Sequence, residues 1–272
     1  MRTAEPASAY PLPRRRGFGT LVAHQFPYEL RTFVRNRQSL FFTFALPIMF
    51  LVFFASVFGH RQVTIRGVHM STSVYYVPGI IALGIVSASF GNLASSIIGD
   101  REAGIYKRRR ATPVPAAVLI AARALVAVAL SLGITIVLLA IGYAYGATIP
   151  AHAVPALVLD VVVSTLALCC LGYGLGSVIR NRDGVMPIVL GITLPLYFIS
   201  GVFVPSSYIS HWLLKVAAVF PVRHLATALL AVFTPGTTGS SLHWVDLVVI
   251  VAWGVFGLFV AVRRFKWLPQ GR

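Results

Sequence analysis

Residues Val77–Pro115, VPGIIALGIVSASFGNLASSIIGDREAGIYKRRRATPVP, decide how this chain is read. From Val77 to Ile98 there is no charged side chain, and the run is long enough for a helix to cross about 30 Å of hydrocarbon. Gly99–Pro115 then brings an acidic pair and five basic residues, too much charge to enter lipid. Such a pair of segments marks a membrane span and the side on which it ends. Working outward, Ser39–Gly59, Ala116–Gly146, Ala151–Ile179, Val185–Val204 and His243–Val262 are apolar runs of comparable or greater length. The expected fold is an all-α polytopic membrane protein with six transmembrane helices. Residues 1–38 form a tail and an interfacial helix, and residues 39–272 the spanning domain.

Composition supports this. Only 11% of the chain is charged and 57% is hydrophobic, whereas an ordinary soluble domain is about 25% charged. The net charge of +16 does not point to nucleic acid, because the basic residues are sorted by side. With the N-terminus inside, only Arg61, Arg66, Lys215 and Arg223 of the 23 lysines and arginines fall on the outer side. That asymmetry is the positive-inside rule, and it places both termini in the cytoplasm with the lipid bilayer as the contact surface. Arginine far outnumbers lysine, which suits a GC-rich bacterial genome and hence a bacterial cell membrane. The two cysteines, Cys169 and Cys170, are adjacent within one span and lack a helically spaced partner. Neither a metal site nor a disulfide is expected from them. No cleavable leader is expected, since the first apolar run follows a 38-residue polar tail and is itself of spanning length.

Local patterns refine the picture. Residues 1–17 are rich in Pro, Ala and Arg, whereas Phe18, Val22, Phe26, Leu30 and Phe33 recur at helical spacing. Pro27–Gln38 reads as a helix in the cytoplasmic interface, entering the first span nearly at a right angle. In the second span, small and polar residues form rows that include Ser87, Asn92, Ser95 and Ser96. Such a face either lines a translocation path or only packs against a neighbouring helix. Gly172 and Gly176 have the spacing of a close helix contact, and Pro195 should kink the fifth span. Residues 205–235 hold apolar pieces of about 13 residues between prolines, too short to cross, which suits an outer re-entrant helical hairpin bent at Phe220–Pro221. Charges inside spans are few: Arg123 near the start of the third, Asp246 near the outer end of the sixth, and Asp160 well inside the fourth. Asp160 must face protein or water, since a carboxylate in lipid costs about 2.5–3.5 kcal/mol, and a proton-relay role is open to it.

No catalytic residues stand out. The three lysines, Lys107, Lys215 and Lys266, are followed by Arg108, Val216 and Trp267, so there is no phosphate-binding G-x-x-x-x-G-K-[ST] loop. H-E-x-x-H and G-x-S-x-G are also missing from the sequence, and no enzyme activity is expected of this chain. The loop Arg101-Glu102-x-Gly104 followed by Arg108, Arg109, Arg110 and Thr112-Pro113 resembles the cytoplasmic loop of type-2 ATP-binding-cassette (ABC) exporter permeases of the daunorubicin type. The segment Ser200–Pro205, containing Gly201 and Pro205, and the later Pro221-Val222-Arg223 are similar to that family's outer hairpin, here a candidate gate.

The resemblance implies a permease subunit powered by a separate cytoplasmic P-loop ATPase dimer, which would hold the ATP and magnesium. This chain would bind no cofactor and no metal. Arg101, Glu102, Gly104, Arg108, Arg109, Arg110, Thr112 and Pro113 would form the ATPase-coupling loop. A second permease copy or a paralogue would complete the pathway. The expected cargo is an amphipathic small molecule or drug, hence multidrug export and antibiotic resistance. Export of a lipid-linked glycan or cell-envelope lipid is the alternative within the class, and an ATP-independent carrier or channel the alternative outside it.

Overall fold

Each apolar run becomes a helix because the backbone must satisfy its own hydrogen bonds where lipid offers none. The structure, a computed structural model, describes residues 17–59, 62–65, 68–104, 115–179, 181, 183–234 and 242–264. Among these, five helices are long and apolar enough to cross a membrane. Helix α1 (Phe18–Arg35) continues through Pro27 and begins at Phe18, the first residue of the helical periodicity, rather than at the expected Pro27. It meets the first spanning helix, α2 (Arg37–Phe58), at Asn36, whose side chain accepts the Ser39 N–H at 3.2 Å. A two-stranded antiparallel ribbon follows, β1 (Gln62–Ile65) paired with β2 (Val68–Ser71). The sequence reading has no such ribbon; it lies between spans and leaves the all-helical membrane domain unchanged.

Helix α3 (Thr72–Glu102) is the most enclosed of the spanning helices. Around it stand α4 (Ala116–Ala144), α5 (Val154–Val178) and α6 (Val185–Ile199). The expected Gly172–Gly176 contact is present. A Cβ at Gly172 would come within 2.8 Å of the Phe90 carbonyl oxygen, and one at Gly176 within 3.2 Å of that of Ala94, so α5 and α3 touch backbone to backbone. The last helix, α9 (Trp244–Arg264), packs on the other side of α5 through Gly254 against Ala167 and Gly257 against Leu171.

The fifth span differs from its expected extent. Helix α6 has 15 residues, about 22 Å, and ends at Ile199 rather than Val204. Gly201 takes φ +87°, a conformation that favours glycine, and turns the chain back. Val202 and Phe203 are therefore buried against the bundle instead of continuing the helix. Beyond them, α7 (His211–Ala217) and α8 (Pro221–Val232) meet at 101°, forming the re-entrant hairpin with its bend at the expected place. Pro221 opens α8, where its missing N–H costs nothing.

Candidate functional site

The membrane helices are not uniformly α-helical, and the departures mark the site. Helix α2 widens into a π-helical turn at Phe41–Ala45, and α3 does so at Ser87–Gly91. In α2 the wide turn lies just before Pro47, a residue that cannot donate to the helical ladder. The two turns touch each other. Both line a groove of about 650 Å³ bounded by α1, α2, α3, α4 and α6.

All four sequence candidates for a path, Ser87, Asn92, Ser95 and Ser96, line this groove and are half-buried. Ser95 Oγ donates to the Gly91 carbonyl at 2.6 Å and Ser96 Oγ to that of Leu93 at 3.1 Å. Their oxygens thus keep acceptor capacity toward the cavity. Asn92 makes no side-chain hydrogen bond among the described residues, so its amide can serve a guest. Across the groove stand Met186, Val189 and Thr193 of α6, with Phe42, Thr43 and Leu46 of α2.

The Gly201 turn seals one end of the groove. It delivers Phe203, whose ring meets Phe50 at 5.2 Å, Phe198 at 5.3 Å, Phe54 at 5.6 Å and Tyr197 at 5.7 Å between centroids. The Tyr75 hydroxyl donates to the Gly201 carbonyl and so pins the turn to α3. Gly201 thus takes part in a closure, while Pro205 precedes the short turn Ser206–Tyr208 and Pro221 is buried at the start of α8. Phe203 itself was not legible, since nothing in the sequence says the helix stops short of it.

At the opposite end lies an ion cluster. Arg123 of α4 donates through Nε to Glu29 Oε2 of α1 at 2.9 Å, and through Nη2 to Asp100 of α3. The three side chains are 10%, 9% and 15% exposed, respectively. Gln25 holds the other Glu29 oxygen at 3.2 Å. Sequence reasoning placed Arg123 in the third span without finding its partners.

The expected coupling loop is only partly described. Arg108, Arg109, Arg110, Thr112 and Pro113 lie outside the described residues. Arg101 does not face outward: it is 7% exposed and donates to the Ile179 carbonyl at 2.5 Å, satisfying an orphan acceptor at the C-terminus of α5. Glu102 is exposed, and Gly104, at φ +66°, ends α3.

Asp160 is fully buried among protein side chains, and neither carboxylate oxygen has a hydrogen-bond partner among the described residues. In the hairpin, His224 uses both ring nitrogens: Nδ1 lies 2.6 Å from Asp246 Oδ1 and Nε2 lies 2.8 Å from the Ala218 carbonyl. Two acceptors require two donors, the protonated imidazole. Its pKa is raised, first by the hydrogen bond to Asp246 and against the effect of burial.

The membrane helices thus pack around an internal groove lined by hydroxyl, amide and apolar side chains. The sequence model of the family described as ABC-2 type transporter matches residues 25–234, and the chain belongs to this family. It is the membrane component of an ABC transporter, which works with a partner ATPase. No curated relative matches the chain.

Proposed function

We propose that this permease exports an amphipathic small molecule of drug size, taken from the cytoplasm or inner leaflet and driven by a separate ATPase dimer that binds the ATP and magnesium. The observation that carries the reading is the groove: about 650 Å³, within the range of small-molecule sites, with hydroxyl and amide groups on one wall and apolar side chains on the other. The sorting of basic residues supports placing the Glu102 end in the cytoplasm and the hairpin outside. In that orientation α1 and the turn at Glu102–Gly104 face the motor, and a second copy of the chain or a paralogue completes the path. ATP-driven tilting of α3 would withdraw Phe203 from its aromatic cluster and open the groove outward, a two-state rocking.

The aromatic lining also favours a second cargo. Between Val77 and Ile98 the one aromatic residue is Phe90, which leans away from sugars, but Phe33, Phe42, Phe50, Tyr197 and Phe203 reach the groove from other segments. A lipid-linked glycan of the cell envelope is the second reading.

The test is co-reconstitution with the ATPase and measurement of substrate-stimulated ATP hydrolysis over panels of amphipathic drugs and lipid-linked sugars. Asn92→Leu with Ser95→Leu should weaken stimulation about tenfold or more while basal hydrolysis stays. Glu102→Ala with Gly104→Pro should uncouple the two subunits, because proline cannot adopt the φ of +66°. Wild-type stimulation in both double variants would refute the assignment.

A further inference from the structure

A second cavity, of about 320 Å³, lies across the Gly201 turn from the groove, between that turn, β1 and the hairpin. Among the described residues its wall carries one ionic group, the guanidinium of Arg223, with the hydroxyls of Tyr75, Ser200, Ser206, Ser207 and Thr227, and no carboxylate. Ser200 is 2% exposed, and its Oγ is buried without a hydrogen-bond partner among the described residues. A buried hydroxyl left so is a donor waiting for an acceptor. Arg223 stands in the first turn of α8, where the helix dipole also favours negative charge. Nearby, Tyr208 and Trp212 are strongly exposed, as aromatic rings are at the level of lipid headgroups.

We propose that this cavity is a binding site for a phosphate-type oxyanion. Arg223 supplies the charge and a two-pronged donor, Ser200 the buried hydroxyl, and Ser206 and Ser207 the remaining donors, while the Thr227 hydroxyl is already donated to the Arg223 and His224 carbonyls. The Tyr75 hydroxyl is already committed to the Gly201 carbonyl, so it shapes the site by holding the turn in place. The oxyanion comes either from a lipid headgroup or from solution; the two share the same chemistry. Because the cavity borders the turn that carries Phe203 and the start of α8, an occupant ties these two elements together.

The full-length permease alone, in a phosphate-free maltoside detergent, is titrated with inorganic phosphate and separately with dioleoyl phosphatidylglycerol, with dioleoylglycerol as the phosphate-free control. Binding is read by native mass spectrometry. No ATPase is needed, so the outcome is independent of the transport reading. Wild type should bind one phosphate-bearing ligand and not dioleoylglycerol. Binding of phosphate itself marks a site for a soluble oxyanion, and binding of phosphatidylglycerol alone marks a headgroup site. Arg223→Gln should weaken the affinity about tenfold or more, and Arg223→Lys should restore part of it. Ser200→Ala, which removes a single oxygen, should weaken it by several-fold and serves if Arg223→Gln does not fold. Lys215→Gln, an exposed cation of the same hairpin outside the cavity, should bind as wild type does. Failure of both ligands to bind, full affinity in Arg223→Gln or Ser200→Ala, or equal loss in Lys215→Gln would overturn the site.

Discussion

Replacing Arg123 with methionine keeps the length and apolar stem of the side chain but leaves two carboxylates without their cation. In the folded protein Glu29 and Asp100 lie on different helices, α1 and α3, and both are mostly hidden from water. Two opposite charges about 4 Å apart attract by about 4 kcal/mol at an effective dielectric of ~20. An orphaned carboxylate can escape by taking a proton, which at neutral pH costs about 4 kcal/mol for an ordinary acid, so the penalty has a ceiling. Partial access to water lowers it further, and a net loss of about 3–5 kcal/mol is expected, as for other broken buried pairs. The loss should be local. Helix α1 is attached by this cluster and by a small apolar contact of Phe33, Phe26 and Leu30 with Val126 and Leu130, whereas α5 and α9 are joined along much of their length. Hydrogen exchange of the purified permease should therefore accelerate in α1 by about two to four orders of magnitude, at 1.4 kcal/mol per factor of ten, and stay unchanged in α5 and α9. The triple variant Arg123→Met, Glu29→Gln, Asp100→Asn should regain most of the protection. Unchanged exchange in Arg123→Met, or a triple variant no better than the single one, would refute the account.

Asp160→Leu removes a carboxylate whose oxygens have no hydrogen-bond partner among the described residues, and should raise thermal stability by about 1–3 kcal/mol; a loss of stability would show that the carboxylate is satisfied after all. Gly172→Val forces a side chain toward the Phe90 carbonyl and should cost about 1–3 kcal/mol or more, while Gly133→Ala, with open space around it, should be neutral or gain about 0.5–1 kcal/mol; thermal unfolding compares the two. His224 in the re-entrant hairpin gains its proton's partner on folding, so its contribution is fully present below about pH 6.5 and is lost as pH rises through the raised folded value. Unfolding followed from pH 6 to pH 9 should show this fall in wild type and not in His224→Gln. Asp246 and the Ala218 carbonyl face the ring, and Arg223 stands beside it with opposing charge.

Much of the fold was legible because lipid makes it a local question. Whether Val77–Ile98 leaves water depends on its own side chains, and its backbone can then form only a helix. The bend at Pro221 was readable for the same reason: the apolar pieces on either side are each too short to cross. The small-residue face of α3 was visible too, yet its two uses, packing and lining, look identical in sequence. Gly91 and Asn92 face the groove while Ala94 meets α5, and only the placement of α6 and α2 separates them.

By itself the sequence determined that the chain crosses the bilayer repeatedly, where most of its helices run and which loops carry charge, because each follows from the transfer energy of a short segment. The tertiary structure decided the partners. Arg123 meets Glu29 across 94 residues of chain, α6 yields at Gly201 so that Phe203 can pack on Phe50 and Phe54 of α2, and Ser200 is left with a hydroxyl that has no partner among the described residues beside Arg223. Such contacts depend on the relative rotation and height of helices, which packing across the whole bundle sets and no local stretch encodes.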